Sequence, residues 1–444
     1  MSPIEMPSPQ IEVSRHAAAA FLTENLFPEE MATHRSGEPE TAERKKLDPA
    51  TAGSGTTDEP AADRNDPAVN GEDSGAGAVG RMVARLGLIQ MDPVRIVERS
   101  HELSLYNRID GYRPEHLGRA VETHRVFEYL CGIRALLPMA EYPYFAPRMT
   151  ERAERYAAKL KELEQAVATV ISAIEREGPL PARRIEDGTK ISGWWDSSES
   201  LATKTTTHAL HLLWECGRVT ACGRVNGEIV YDLTERAIPE PLLEEARRMS
   251  EPEAAEHLVR KYYRAYRLFD EGHIFFGYSQ YRIAERREII RRDVSRGILV
   301  PVKVAGVKRR YYCLSEDAET LVSAGNRTDE RPRLRILSPL DNFLWRRERL
   351  QDLFGFLYTW EIYTPARKRA FGPYTMPVLY GTTIPARIDL SHRRSEGVLS
   401  VEKLYWEPDL AEPVKKKVSG TLESELFRLA RFLGAAEVRF ASQD

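Results

Sequence analysis

The sequence predicts an α+β chain of about three tandem winged-helix modules followed by a small C-terminal β-barrel. Two stretches carry the modules. Over 179–236 come a short helix at 181–186, a longer one at 204–215 stopped by Gly217, and an alternating run at 218–233 around Asn226-Gly227. That is the order helix, helix, β-wing. The same order returns over 254–314, with helices at 254–269 and 281–296, then Gly297, then strands Leu299–Val304 and Arg310–Leu314 around Gly306. Beyond Arg331 the pattern changes to short strands, including Thr375–Tyr380, 384–390 and Val398–Trp406, with Pro and Gly between them and a closing helix at 423–433.

The remaining elements follow from the N-terminus. Ser14 is placed to cap an amphipathic helix over 14–26. Residues 33–78 are rich in Gly, Pro, Ser, Thr, Asp and Glu and nearly lack aromatics, a composition that reads as a disordered insertion. A second helix is expected from about Val79, packed on the first across the insertion. Asp92-Pro93, followed by Val94, Ile96, Val97 and Leu103, predicts a further helix with Asp92 as its cap. Helical patterning continues over 116–137 and 149–176, broken near Leu136-Leu137-Pro138. The expected division is 1–150, 151–237, 238–328 and 329–444.

With 42% hydrophobic and 30% charged residues, the chain has an ordinary globular composition. It has no run of about 20 apolar residues and no basic leader, so a cytoplasmic, nucleoid-associated protein is expected. Four scattered cysteines suit a reducing compartment. The net charge is −3, but residues 1–80 hold a balance of −9 and the remainder +6. Within that remainder Arg282, Arg286, Arg287, Arg291, Arg292 and Arg296 crowd one stretch. They read either as a phosphate-attracting surface or as a solvated face paired by Glu285, Glu288 and Asp293.

Several motifs compete. Gly75-Ala-Gly-Ala-Val-Gly80 has the dinucleotide spacing but follows a polar linker, not a buried strand. His208, His211, Cys216 and Cys222 are zinc-ligand types close together, yet on the presumed recognition helix Lys204, Thr205, Thr206 and His208 better suit phosphates. No metal or cofactor is therefore expected. Trp194 and Trp195 read as core residues or as surface that stacks on bases. In Leu88-Ile-Gln-Met-Asp-Pro93, an extended chain puts Gln90 and Asp92 on one side and Met91 in the core. Asp92 then reads either as a simple helix cap or as a carboxylate, kept ionised by the helix dipole, that stabilises a cationic sugar or positions water.

A set of short motifs in order changes that balance. Gly87 to Val94 with Arg99-Ser-His101, Phe127-Glu-Tyr129 with Leu137-Pro138, Tyr231 to Pro239, Leu337-Ser-Pro-Leu-Asp-Asn342 with Phe354-Gly355, and Glu361-Ile-Tyr-Thr-Pro365 together resemble the winged-helix DNA glycosylases of the AlkZ/YcaQ type. The resemblance spans nearly the whole chain outside the acidic insertion. It implies tandem winged helices and a β-barrel around a concave DNA-binding surface, and hydrolysis of N7-alkylguanine glycosidic bonds, including those in interstrand crosslinks. Gln90-Met91-Asp92 is similar to the family's Gln–apolar–Asp form, associated with crosslink unhooking, which makes Asp92 and Gln90 the candidate catalytic pair. The family also uses a lesion-contacting β-hairpin, whose residues the sequence does not place. The expected partner is double-stranded DNA containing alkylated or crosslinked purines, bound by a monomer through Lys204, Thr205, Thr206, Arg286, Arg291 and Arg292. The winged-helix order alone equally fits a non-catalytic DNA-binding regulator.

Overall fold

A computed structural model describes residues 11–28, 71–185, 190–191, 203–225, 228–278, 281–327, 332–408 and 410–441. Most of the expected insertion, together with Trp194, Trp195, Asn226 and Gly227, lies outside these residues.

Ser14 caps the helix Arg15–Leu26, its hydroxyl accepting from the Ala17 amide at 3.0 Å. That helix shares one core with the helix Gly71–Leu86, through Phe21, Leu22, Met82 and Val83. Arg85 donates to the Asn25 carbonyl across the junction at 2.8 Å. The second helix begins at Gly71 rather than near Val79, so the end of the expected insertion is ordered as helix. Its small residues explain this. A Cβ at Gly75 would sit 2.6 Å from the His116 ring on the helix Pro114–Glu122. The glycine run thus serves close helix packing, within a helix rather than at a phosphate-binding turn.

The stretch 116–137 is not one helix. After Glu122 the chain forms the antiparallel hairpin Val126–Leu130 and Arg134–Pro138, turned by Gly132 at φ +85°. These short, mostly apolar runs, buried along nearly their whole length, have no period that separates strand from helix, and here the strand prevails because both faces are covered. The strand Ile89–Gln90 pairs with one edge of this hairpin, and the wing strands Val219–Val225 and Glu228–Leu233 continue from the other, ending at Leu180–Pro181. One six-stranded sheet thus joins elements expected in two separate modules.

The helices Thr205–Glu215, Glu251–Tyr266 and Ile283–Ser295 and the hairpin Leu299–Val304/Arg310–Leu314 occur as expected, while the described part of 181–186 holds a single helical turn, Ala182–Arg184. The strand Ile11–Val13 adds in parallel to Leu299–Val304 of that last hairpin. The C-terminal region is a five-stranded half-barrel sheet in the order 334–336, 375–380, 383–393, 398–406, 437–440. The helix Glu412–Leu433 packs on it through Val418, Leu422, Leu426 and Leu429, starting earlier than expected, with Pro413 in its first turn. Among the described residues no helix is long and apolar enough to cross a membrane.

Candidate active site

Gly87, at φ +77°, turns the chain from the helix Gly71–Leu86 into the strand Ile89–Gln90, where a side chain would strike the Tyr278 hydroxyl and Ala265. The strand is held on both sides. The Asn342 amide donates to the Leu88 carbonyl at 2.6 Å, and the Met91 amide donates to the Arg134 carbonyl at 2.8 Å. Met91 is buried in the core cluster that also holds Ile89, whereas Gln90 and Asp92 on either side of it are half-buried and reach the surface.

Asp92 does not cap a helix. Helix resumes only at Ser100, and between them the Asp92 carboxylate accepts from the Val94 amide at 2.8 Å, closing a local turn of the Asx kind. Residues 95–97 are held out of helix by the C-terminal sheet. His392 donates its amide to the Ile96 carbonyl at 3.1 Å, and Arg394 donates to the carbonyls of Arg95 and Val97. The helix dipole therefore plays no part at Asp92. Partial burial instead pushes its pKa up from 3.8, opposed by the Val94 hydrogen bond.

Charged groups fix the frame around this segment. Glu98 pairs with Arg95 through two hydrogen bonds and faces Arg394 at 3.7 Å, while its backbone carbonyl accepts from the Tyr374 hydroxyl. Against the burial that would raise it, Arg95 and the Arg99 amide hold Glu98 below the usual carboxylate range. Behind it, Arg108 and Asp341 form a bidentate pair at 2.7 Å with both side chains wholly buried, and Ser104 also donates to Asp341. His101 is buried, and desolvation with nearby Arg224 presses its pKa down to about 3, so it is a neutral imidazole. Glu128, raised by burial but pulled lower by Arg224 and Arg134, stays ionised between those two cations. A cavity of about 850 Å³ opens at the hairpin turn Cys131-Gly132, lined by Arg148, Arg152, Tyr144, Phe275 and Tyr278 among others.

The expected DNA contacts fare unevenly. Lys204 stands half-exposed at the start of the helix Thr205–Glu215. Thr205 and Thr206 are 9% and 1% exposed, which removes them from a phosphate-facing surface. Arg286 is spent on the carbonyls of Tyr281, His273 and Glu271. Arg291 pairs with Glu288 and Arg292 with Asp293. Arg287 pairs with Glu271, so the arginines within Ile283–Ser295 have partners, whereas Arg282 and Arg296 at its ends are exposed. Among the described residues no three His, Cys, Asp or Glu side chains are grouped to hold a metal, His208, His211, Cys216 and Cys222 included.

Sequence reasoning missed the supports, Asn342, Asp341, Tyr374 and Arg394, as functional residues. The first two lie in the quoted Leu337 to Asn342 motif, and that was the only available signal, because their partners are more than 200 positions away.

The chain thus brings an amide and a carboxylate to the surface on a segment braced between the six-stranded sheet and the C-terminal half-barrel. The sequence model of the AlkZ-like DNA glycosylase family matches residues 83–432. The chain belongs to that family and is a DNA glycosylase. Its fold is similar to that of the Streptomyces sahachiroi DNA glycosylase AlkZ, with a TM-score of 0.56 and 15% identity over 97% of this chain and 100% of the other.

Proposed function

We propose that this enzyme is a monofunctional DNA glycosylase that hydrolyses the glycosidic bond of N7-alkylated guanines, including those tied into interstrand crosslinks. The observation that carries the reading is the braced Gln90–Met91–Asp92 segment, in which the apolar middle residue is buried and the two polar residues reach the surface. An N7-alkylguanine already bears a positive charge. When its bond to C1′ breaks, the electron pair moves onto the base, which leaves neutral, so no strong general acid is needed. The sugar is left as an oxocarbenium-like cation. A carboxylate partly withdrawn from water attracts that cation more strongly than one in bulk solvent. Its raised pKa also makes it a better base toward the water that adds to C1′ and loses a proton. Gln90, held by the same strand, can orient that water or the sugar.

No lysine stands in the segment as an amine nucleophile, in keeping with hydrolysis without strand cleavage. A base tied to the opposite strand cannot be extruded into a closed pocket, so a half-buried catalytic pair that reaches the surface suits such a substrate. The organism's DNA in the cytoplasm is the proposed place of action, with the protein as a monomer.

The test is incubation of the protein with a duplex carrying N7-methylguanine and with one carrying a nitrogen-mustard-type crosslink. The expected products are free base, unhooked strands and abasic sites that stay uncleaved until treated with alkali. Binding without release of base from either duplex contradicts the proposal.

A further inference from the structure

The segment linking the helix Arg347–Phe354 to the strand Thr375–Tyr380 is built unlike an ordinary surface connection. The buried carboxylate of Glu361 accepts three backbone hydrogen bonds, from Ala370 at 2.8 Å, Phe371 at 2.9 Å and Gly372 at 3.2 Å, and so closes 361–372 into one loop. Arg369 folds back inside it and donates to the Thr364 carbonyl at 2.8 Å. A single turn, Ala366–Lys368, completes the loop. A loop tied at so many points presents its exposed side chains from a braced backbone.

What it holds out is an aromatic ring and two cations. Tyr363 is 81% exposed, more than any other large apolar side chain among the described residues. Arg367 and Lys368 are exposed, and neither makes an ion pair or a side-chain hydrogen bond among the described residues. The loop is also tied to the catalytic segment. Tyr363 meets the Trp360 ring edge-on at 5.8 Å, Trp360 meets Tyr374 at 6.3 Å, and the Tyr374 hydroxyl donates to the carbonyl of Glu98, six positions beyond Asp92.

We infer that this loop is a duplex-contacting element in which Tyr363 inserts against the base stack near the modified nucleotide while Arg367 and Lys368 hold the flanking phosphates. The inference rests on the DNA glycosylase reading and adds to it the part that opens the stack. A rigid amphipathic ring costs little entropy to present and stacks on any base, so it fits a target defined by damage rather than by sequence. Two unpaired cations beside it supply sequence-independent attraction and register. A ring left 81% exposed by a braced loop gains little for the folded state beyond its edge-on contact with Trp360, whereas it gains contact area on a partner.

The experiment uses the full chain and a duplex with 2-aminopurine next to N7-methylguanine, a base whose fluorescence rises when it unstacks. Wild type is expected to raise the fluorescence on binding. Tyr363→Ala should lose that rise and bind the damaged duplex roughly 10- to 100-fold more weakly. Tyr363→Phe should retain both, since a ring suffices and the exposed hydroxyl has no partner to lose. The double variant Arg367→Ala/Lys368→Ala should lower the slope of log affinity against log salt by about 2. No fluorescence rise with wild type, or wild-type fluorescence and affinity in Tyr363→Ala, overturns the inference. Neither readout depends on base release, so a failure of the proposed excision chemistry is seen separately.

Discussion

The helix Ile283–Ser295 and the loop 361–372 both carry clustered cations, and the structure uses them in opposite ways. Along the helix Arg286 is turned inward onto carbonyls, while Arg291 and Arg292 sit on neighbouring carboxylates. In the loop only Arg369 is spent internally, and Arg367 and Lys368 stay exposed beside Tyr363. Charge density along a sequence therefore misleads about where phosphates bind. The deciding quantity is the number of cations left after local carboxylates and carbonyls have been satisfied.

The same contrast separates the site from its foundation, and the largest effect is expected there. Asp341→Ala strands the guanidinium of Arg108 in a fully buried position, and removing one partner of such a pair costs about 3–5 kcal/mol. Chemical denaturation should show a loss of that size, with base release falling at temperatures where the fold begins to open. An unchanged midpoint would show that the pair is not part of what fixes the strand that carries Gln90. A much smaller effect is expected on the arginine-rich helix. Arg291→Ala and Arg292→Ala should each change affinity for damaged duplex less than about twofold, measured by anisotropy, because each cation already has a carboxylate. A tenfold loss from either would return that helix to the DNA-binding surface and erase the contrast with the loop.

How far the sequence could be read follows from how local each cause is. Ser14 as a cap, the wing hairpin Leu299–Val304/Arg310–Leu314 and the helix Thr205–Glu215 rest on near neighbours, and they stand where patterning puts them. Asp92-Pro93 offers the same residue types to a helix start and to an Asx turn. The choice is made by Arg394 and His392, about 300 positions away, which take up the carbonyls of 95–97 that a helix would use. The hairpin Val126–Leu130/Arg134–Pro138 was hidden for a related reason, since strands covered on both faces lack alternation. The half-burial of Gln90 and Asp92 around a buried Met91 agrees with the alternation read from the motif. The burial of Thr205 and Thr206 does not follow from their polarity, because it depends on how the helix seats in its module.

The central claim is that the Asp92 carboxylate does the chemistry, and single-turnover release of N7-methylguanine by wild type and Asp92→Asn, at protein concentrations that saturate the duplex, tests it most directly. The account predicts unchanged duplex affinity and a rate at least about 100-fold lower in the variant. Because burial raises the Asp92 pKa above 3.8 and the ionised form is the active one, the wild-type rate should fall, as pH is lowered, at a point above 3.8, with no such fall in the residual rate of Asp92→Asn. A variant rate within about twofold of wild type, with the same acid limb, would contradict the claim and leave Asp92 as a turn-forming residue only.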